Sequence, residues 1–418
     1  MAGLSLRSSA FADSKLNNPL VAIAALVGIV LLFVAGFLAL TGTFPDDPRF
    51  WRMFALGWIL AALASLPAVG LLVYLDRRDP EPWWAGSLAY FWGAVVATGL
   101  GLVIRTAAIG PISQVFDDTA TTFDTTALGV QVVDISVLFD LLENAFLAPL
   151  IEEGLKALAL IVLVLLMPAI LNGVRDGIVY GALVGLGFAV AETAMYLGGW
   201  YASAAFAPFM GELVPRFVFG GINGHAVYSA LFGAALGLSI ETKQGAWVRK
   251  GSLVIGGYLL AVSAHSMANA FGPVALTVLV SLTGIDPGVL TGGELWWLSA
   301  VEVVMTYGWA YLILGYLVVQ SGQTELNVIK NELRAESPPI VTIAEVPVIE
   351  AEGMWRLRRT PGLTRRVSIR VVRAQNRVAF RRDQLRRDGR LLTNDDALEE
   401  LRGKVVTVRA HSEGSSPL

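Results

Sequence analysis

Apolar runs of about 20 residues recur along the first 320 positions, separated by short polar turns. A helix rising ~1.5 Å per residue needs about that length to cross roughly 30 Å of hydrocarbon. The pattern therefore predicts eight transmembrane helices, near residues 19–41, 51–75, 84–108, 147–167, 177–198, 214–238, 252–283 and 296–320. The first run is too long for a signal-peptide core and lacks an A-x-A cleavage site, so it reads as a retained span behind a polar leader, residues 1–18. After Gln320 the pattern changes. Residues 322–336 can continue as helix until Pro338-Pro339, and the alternation Val367, Ile369, Val371, with Val378 and Phe380, predicts short strands within 340–410. The expected architecture is an all-α polytopic membrane domain over 19–320 with a small, basic, α+β or β-rich soluble region over 321–418.

Composition agrees: 55% of residues are hydrophobic, 16% are charged, and mean hydropathy is +0.62, which excludes an ordinary soluble domain. The net charge of −3 conceals a split, with 13 Lys+Arg against 21 Asp+Glu before residue 321 and 18 against 13 after it. Arg7, Lys15, Arg77, Arg78, Arg175, Lys243, Arg249, Lys250 and the basic C-terminal region fall on one side of the expected spans. The 109–135 loop holds Asp117, Asp118, Asp124 and Asp134 with no base. The positive-inside rule then puts both termini in the cytoplasm of a multi-pass cell-membrane protein.

Two prolines make the Tyr74–Pro82 segment a tight turn, and residues 136–148, with Asp140, Glu143 and Asn144, read as an interfacial helix. Gly181, Gly185 and Gly187, with Gly233 and Gly237, suit close helix approach. The absence of cysteine excludes disulfides and thiolate zinc sites. In the C-terminal region Arg356, Arg358, Arg359, Arg365, Arg366, Arg381, Arg382, Arg386 and Arg387 read either as a solvated positive-inside surface or as a contact for anionic inner-leaflet lipids. Nucleic acid is disfavoured as a partner, because no aromatic interleaving or known module accompanies the charge.

Charge inside a membrane helix is expensive, roughly 2.5 to 3.5 kcal/mol at its centre, and marks functional-site candidates. Four spans carry such groups. Three hold pairs spaced i, i+4 on one face: Glu152 with Lys156, His225 with Ser229, and His265 with Asn269. In the fourth, Phe188 precedes Glu192 by the same interval. The approximate depths of Glu152, Glu192, His225 and His265 allow one shared cavity. Two histidines and a carboxylate can hold zinc with a position open for water, while another carboxylate takes the water's proton. Adjacent Glu152 and Glu153 lie about 100° apart on a helix, so only one faces the cavity squarely, and Lys156 can pair with either. The bland alternative is a buried ion-pair network of Glu152, Glu153 and Lys156 with no chemistry.

These residues resemble the PrsW family of intramembrane proteases, within the clan of CAAX prenyl endopeptidases and bacteriocin-processing membrane proteins. Its E-E-x-x-K motif is matched by Glu152-Glu153-Gly154-Leu155-Lys156, and F-x-x-x-E by Phe188 to Glu192 in a glycine-rich helix that includes Asp176-Gly177. His225-Ala226 with Gly233 and Gly237, the H-x-x-x-N run His265 to Asn269, and the turn Asp79-Pro80-Glu81-Pro82 complete the resemblance, which covers roughly residues 65–320. Thr193 follows Glu192 where family members often have Asn, and CAAX endopeptidases differ at the positions of Lys156 and Glu192.

The resemblance implies an intramembrane endopeptidase cutting a membrane-protein substrate, with regulatory cleavage of an anti-sigma factor as the family's name-giving role. The expected mechanism is attack by activated water in a cavity reached from the outer leaflet. Glu152 is the general base, Glu153 an orienter held by Lys156, and Asn269 the oxyanion donor. Glu192, His225 and His265 hold a divalent metal, zinc by preference. A metal-free variant has Glu152 activating water directly, with His265 and Asn269 as the oxyanion site. Two other classes use the same polar cavity: a small-solute or proton transporter, against which no internal repeat is visible, and a non-catalytic membrane scaffold. Arg105 and Glu302 are expected to be helix-packing partners.

Overall fold

The computed structural model describes residues 14–44, 46–120, 142–243, 245–285 and 290–413. The leader up to residue 13, Asp124, Asp134, Asp140 and the side chains of Asp117 and Asp118 lie outside the described residues. Helix α1 (Pro19–Thr43) starts with Pro19 behind Asn18, whose side chain accepts from the Leu20 amide. It is apolar on all faces and mostly unburied, as a helix in contact with lipid should be. Helices α2 (Pro48–Ala64) and α3 (Leu66–Leu75) are bent at Ser65 and Pro67. After the proline turn come α4 (Trp83–Phe91), a π-helical segment (Trp92–Ala97) and α5 (Thr98–Ala120). A second π segment (Glu143–Leu147) leads into α6 (Ala148–Leu166), so the described end of the expected interfacial helix is indeed helical.

The centre of the bundle is α7 (Val174–Ala204), the most buried long helix. The short α8 (Phe209–Phe217), α9 (His225–Glu241), α10 (Trp247–Thr283) and α11 (Gly292–Leu333) follow. Glycine is what seats α9 on α7. A Cβ at Gly177, Gly181 or Gly185 would lie 2.0, 2.3 or 2.0 Å from the carbonyl oxygens of Gly233, Ser229 and His225. Only a glycine edge permits that approach, and it draws His225 and Ser229 against the face of α7 that carries Glu192.

Among the described residues five helices are long and apolar enough to cross a bilayer, or six if the bent α2–α3 pair is one span. Two of the eight expected spans do not meet that measure. Helix α6 carries Glu152, Glu153 and Lys156 within its 19 residues. The 214–238 run is divided between α8, a loop with Gly220, Gly221 and Gly224 at positive φ, and the 17-residue α9. The chain is nonetheless a multi-pass membrane protein.

The β-rich reading of the C-terminal region is overturned, since no strand occurs among the described residues. After α11 come α12 (Val346–Glu350), α13 (Arg365–Arg387) and α14 (Asp396–Glu413). The supposed strand alternation lies on α13, whose buried positions Val371, Val372, Gln375, Val378, Ala379, Arg382 and Leu385 follow the helical period instead. Val378, Ala379 and Leu385 pack with Ile329, Leu333, Ile349, Leu398, Leu401 and Val405 into a separate core. Helix α11, kinked at Tyr307, continues past residue 320 to reach it.

Candidate active site

Glu153 is the best-satisfied acid of the bundle, with its side chain 1% exposed. Its Oε1 accepts from Lys156 Nζ at 2.8 Å and lies 3.0 Å from His265 Nδ1, and its Oε2 accepts from Ser229 Oγ at 3.2 Å. Lys156, equally buried, lies 2.9 Å from His225 Nδ1 and 3.7 Å from the centre of the Phe188 ring. The i, i+3 and i, i+4 spacings on α6 aim Lys156 at both acids, with Glu152 Oε2 at 3.6 Å.

These partners define the protonation pattern. An ammonium only donates, so His225 Nδ1 accepts and its Nε2–H faces Glu192 Oε2 at 3.0 Å. His265 donates from Nδ1 to Glu153, which leaves its Nε2 lone pair directed toward Glu152 Oε2 at 3.9 Å. The rings of the two histidines are 4.8 Å apart, and Tyr228 stacks on His265 at 5.0 Å.

Glu152 differs sharply from its neighbour. Its Oε2 is buried without a hydrogen-bond partner, and its side chain borders a cavity of about 320 Å³ together with Phe188, Glu192, Tyr196, Thr98 and Arg105. One ligand atom each from Glu152, His225 and His265 falls within 4.8 Å of the other two. The donor set fits a divalent metal on two counts. Glu152 Oε2 makes no hydrogen bond, its ion pair with Lys156 being 3.6 Å long, and it stands beside a free imidazole nitrogen, so both atoms have coordination capacity left for a cation. A histidine whose other nitrogen is anchored on a carboxylate is the usual outer-shell arrangement at a metal centre. For His225 to join through Nε2, its ring proton has to sit on Nδ1 instead and Lys156 has to stop donating there, so metal binding is coupled to proton movement.

All of the sequence-derived candidates except one converge here. Asn269 does not: its amide donates 2.8 Å to the Asn144 carbonyl and its side chain is exposed, so the amide is committed to holding the π segment before α6. Of the three expected ligands, His225 and His265 cluster most tightly with Glu152, while Glu192 lies 3.0 Å from His225 Nε2. Sequence reasoning overlooked Arg216, 3.8 Å from Glu192 and 2.8 Å from Glu212, and Tyr228. Arg216 belongs to the short helix before the glycine loop, and no periodicity points it at Glu192. Arg105 does pair across helices, with Glu143 at 2.7 Å and Asn144. Glu302 accepts from Thr306 Oγ1 within α11 and packs over Gly272 of α10.

Two buried imidazoles packed among carboxylates, with Glu152 and Glu192 opening onto a cavity inside a membrane bundle, are the groups a membrane-embedded hydrolase needs. The chain belongs to the PrsW family of intramembrane metalloproteases, whose family model matches residues 81–290. No curated protein and no solved structure matches the chain. It is an intramembrane protease, and a membrane-protein substrate follows from that class.

Proposed function

We propose that Glu152, His225 and His265 hold a divalent metal, zinc by donor chemistry, and that Glu192 is the general base, exchanging the roles expected for the two carboxylates from sequence. The orphaned Oε2 of Glu152, in the one tight Glu–His group among the described residues, carries this reading. A metal held there would polarise the scissile carbonyl and lower the pKa of the attacking water. Glu192, on the same cavity wall, accepts the proton of that water as its oxygen bonds to the carbonyl carbon, then returns it to the amine nitrogen as the C–N bond breaks. Arg216 keeps a positive charge beside Glu192. Glu153 and Lys156 stay out of the chemistry. Glu153 holds His265 in the tautomer that leaves its Nε2 free, and Lys156 fixes the orientation of the His225 ring. Phe188 and Tyr228 wall the pair and restrict water.

The substrate is proposed to be a transmembrane segment entering the cavity between α5, α6 and α7. Regulatory cleavage of an anti-sigma factor, the role implied by the family resemblance, is the first substrate class to test. Both termini are assigned to the cytoplasm on the loop charges. Helix α6 and the α8–α9 pair are taken to complete eight membrane crossings, because their charges are paired inside the bundle rather than exposed to lipid. The protease domain is taken as 19–320 and the basic region as 321–418.

The test is metal content and cleavage measured together on purified full-length protein. Glu192→Gln is expected to keep about one metal per chain and lose cleavage, whereas Glu152→Gln and His265→Ala lose both. Metal retained in Glu152→Gln and lost in Glu192→Gln would reverse the assignment. No metal in any form after zinc is resupplied would remove it.

A further inference from the structure

The C-terminal arginines fall into two groups that the sequence does not separate. Between Gly353 and Arg382 there are ten arginines and no acid. Five of them are used inside the protein. Arg358 binds Glu352, Gln375 and Asn376, Arg381 binds Asp395, and Arg382 binds Glu332 and Glu336. Arg373 donates to the Arg77 carbonyl, while Arg377 holds Asp79 and the Pro80 carbonyl. The other five, Arg356, Arg359, Arg365, Arg366 and Arg370, are exposed, and among the described residues none has an ion-pair partner. All five lie between Trp355 and Arg373.

That segment is pinned to the end of the membrane bundle at both ends. The Trp355 carbonyl accepts from Tyr74 Oη at 2.8 Å, and the Met354 carbonyl accepts from Arg77 and Arg78 at 2.8 Å each. Tyr74 and the 65%-exposed Val73 close the apolar surface of α3. Met354 also packs on Gly322, just beyond exposed Tyr316 and Val319 of α11. The residue-355 end therefore lies beside the ends of the exposed apolar surfaces of α3 and α11. The Trp355 side chain, 53% exposed, is an amphipathic ring there. Exposed guanidinium groups without counter-ions, carried on a pinned segment beside an exposed tryptophan, match the phosphates of a lipid surface.

We propose that residues 355–370 form a docking surface for anionic phospholipid headgroups, with Trp355 inserted at the interface and the five unpaired arginines on the phosphates. Under the cytoplasmic assignment this is the inner leaflet. The proposal is independent of proteolysis. Because Met354 and Arg373 hold Arg77 and Arg78, the same contact braces the turn that leads into α4.

The chain has no cysteine, so a single Pro361→Cys carries a fluorophore at an exposed position inside the patch. Full-length protein is placed in nanodiscs of neutral phosphatidylcholine or of a 70:30 mixture with phosphatidylglycerol, each with a headgroup-attached nitroxide lipid. Quenching is expected to be at least twofold stronger in the anionic discs. It should fall to the neutral level in a variant with all five arginines changed to Gln, and be weakened by Trp355→Ala and by molar salt. Cleavage activity and melting in detergent report that the variant is folded. Equal quenching in the two discs, or quenching unchanged by the five-Gln variant, would overturn the proposal. So would an absent lipid response accompanied by arginine-dependent binding of single-stranded RNA, which would make the patch a nucleic-acid surface. Suppression of quenching by inorganic phosphate at millimolar concentration would likewise reduce it to a free-anion site.

Discussion

Glu152→Gln and Glu153→Gln test the division of labour on α6, because the same change at adjacent positions has opposite expected consequences. Glu153 neutralises a lysine with about 1% exposure, accepts from Ser229, and is 3.0 Å from His265 Nδ1. A glutamine can turn its oxygen to Lys156 and His265, yet the buried ammonium loses its nearest counter-ion, with Glu152 Oε2 a full 3.6 Å away. Removing one partner of a buried ion pair costs about 3–5 kcal/mol. Glu152 Oε2 has no hydrogen bond to lose and borders the cavity, so its glutamine variant should unfold within about 1 kcal/mol of wild type. Its cleavage rate should nevertheless fall by about 10²-fold or more, with loss of metal. Detergent-titrated unfolding, read by circular dichroism, gives the stabilities, and a quenched-fluorescence transmembrane peptide gives the rates. If Glu153→Gln were as stable as wild type while Glu152→Gln was several kcal/mol weaker, the assignment of structural and chemical roles would be wrong.

Gly185→Ala would place a Cβ 2.0 Å from the His225 carbonyl oxygen, forcing α9 outward. A loss of about 1–3 kcal/mol, with reduced metal occupancy, is expected from melting curves and elemental analysis. Asn269→Ala should leave kcat within about threefold, because its amide is committed to Asn144. A fall of about 10²-fold or more would restore it as an oxyanion donor. In the C-terminal core, burial alone would raise the Asp395 carboxyl, but bonds to Arg381 and the Leu398 amide and the charges of Arg381 and Arg390 outweigh this and hold it below the usual range. A depressed carboxylate stabilises the fold fully above its unfolded pKa, ~3.9, and loses that contribution as pH falls through the folded value. Asp395→Asn should therefore weaken this core near neutral pH and flatten its acid transition, as read by proteolytic protection between pH 2 and 7.

Much of the site was legible because intramembrane charge is so costly that Glu152, Glu153, Lys156, Glu192, His225 and His265 stood out against an apolar background. The i, i+4 rule put Lys156 within reach of Glu152 and the i, i+3 rule within reach of Glu153, and both contacts occur. Periodicity misled in the C-terminal region. Val367, Ile369 and Val371 alternate for too few residues to distinguish a strand from a helix, and the segment is a helix whose buried face is completed by Gln375 and Asn376. Those two polar residues are buried because Arg358, Ile340 and Arg78 satisfy them, all distant in sequence.

The sequence alone determined the membrane class, the approximate apolar runs and the residues that chemistry could use, since hydropathy and helical spacing are local properties. The tertiary structure decided which glutamate is anchored and which is free, because that depends on His265 and Ser229 arriving from other helices. It also decided how α9 meets α7, since a glycine edge permits contact but does not name the partner. The separation of paired from unpaired arginines was likewise decided in three dimensions: a guanidinium looks the same in sequence whether its carboxylate is 50 residues away or absent.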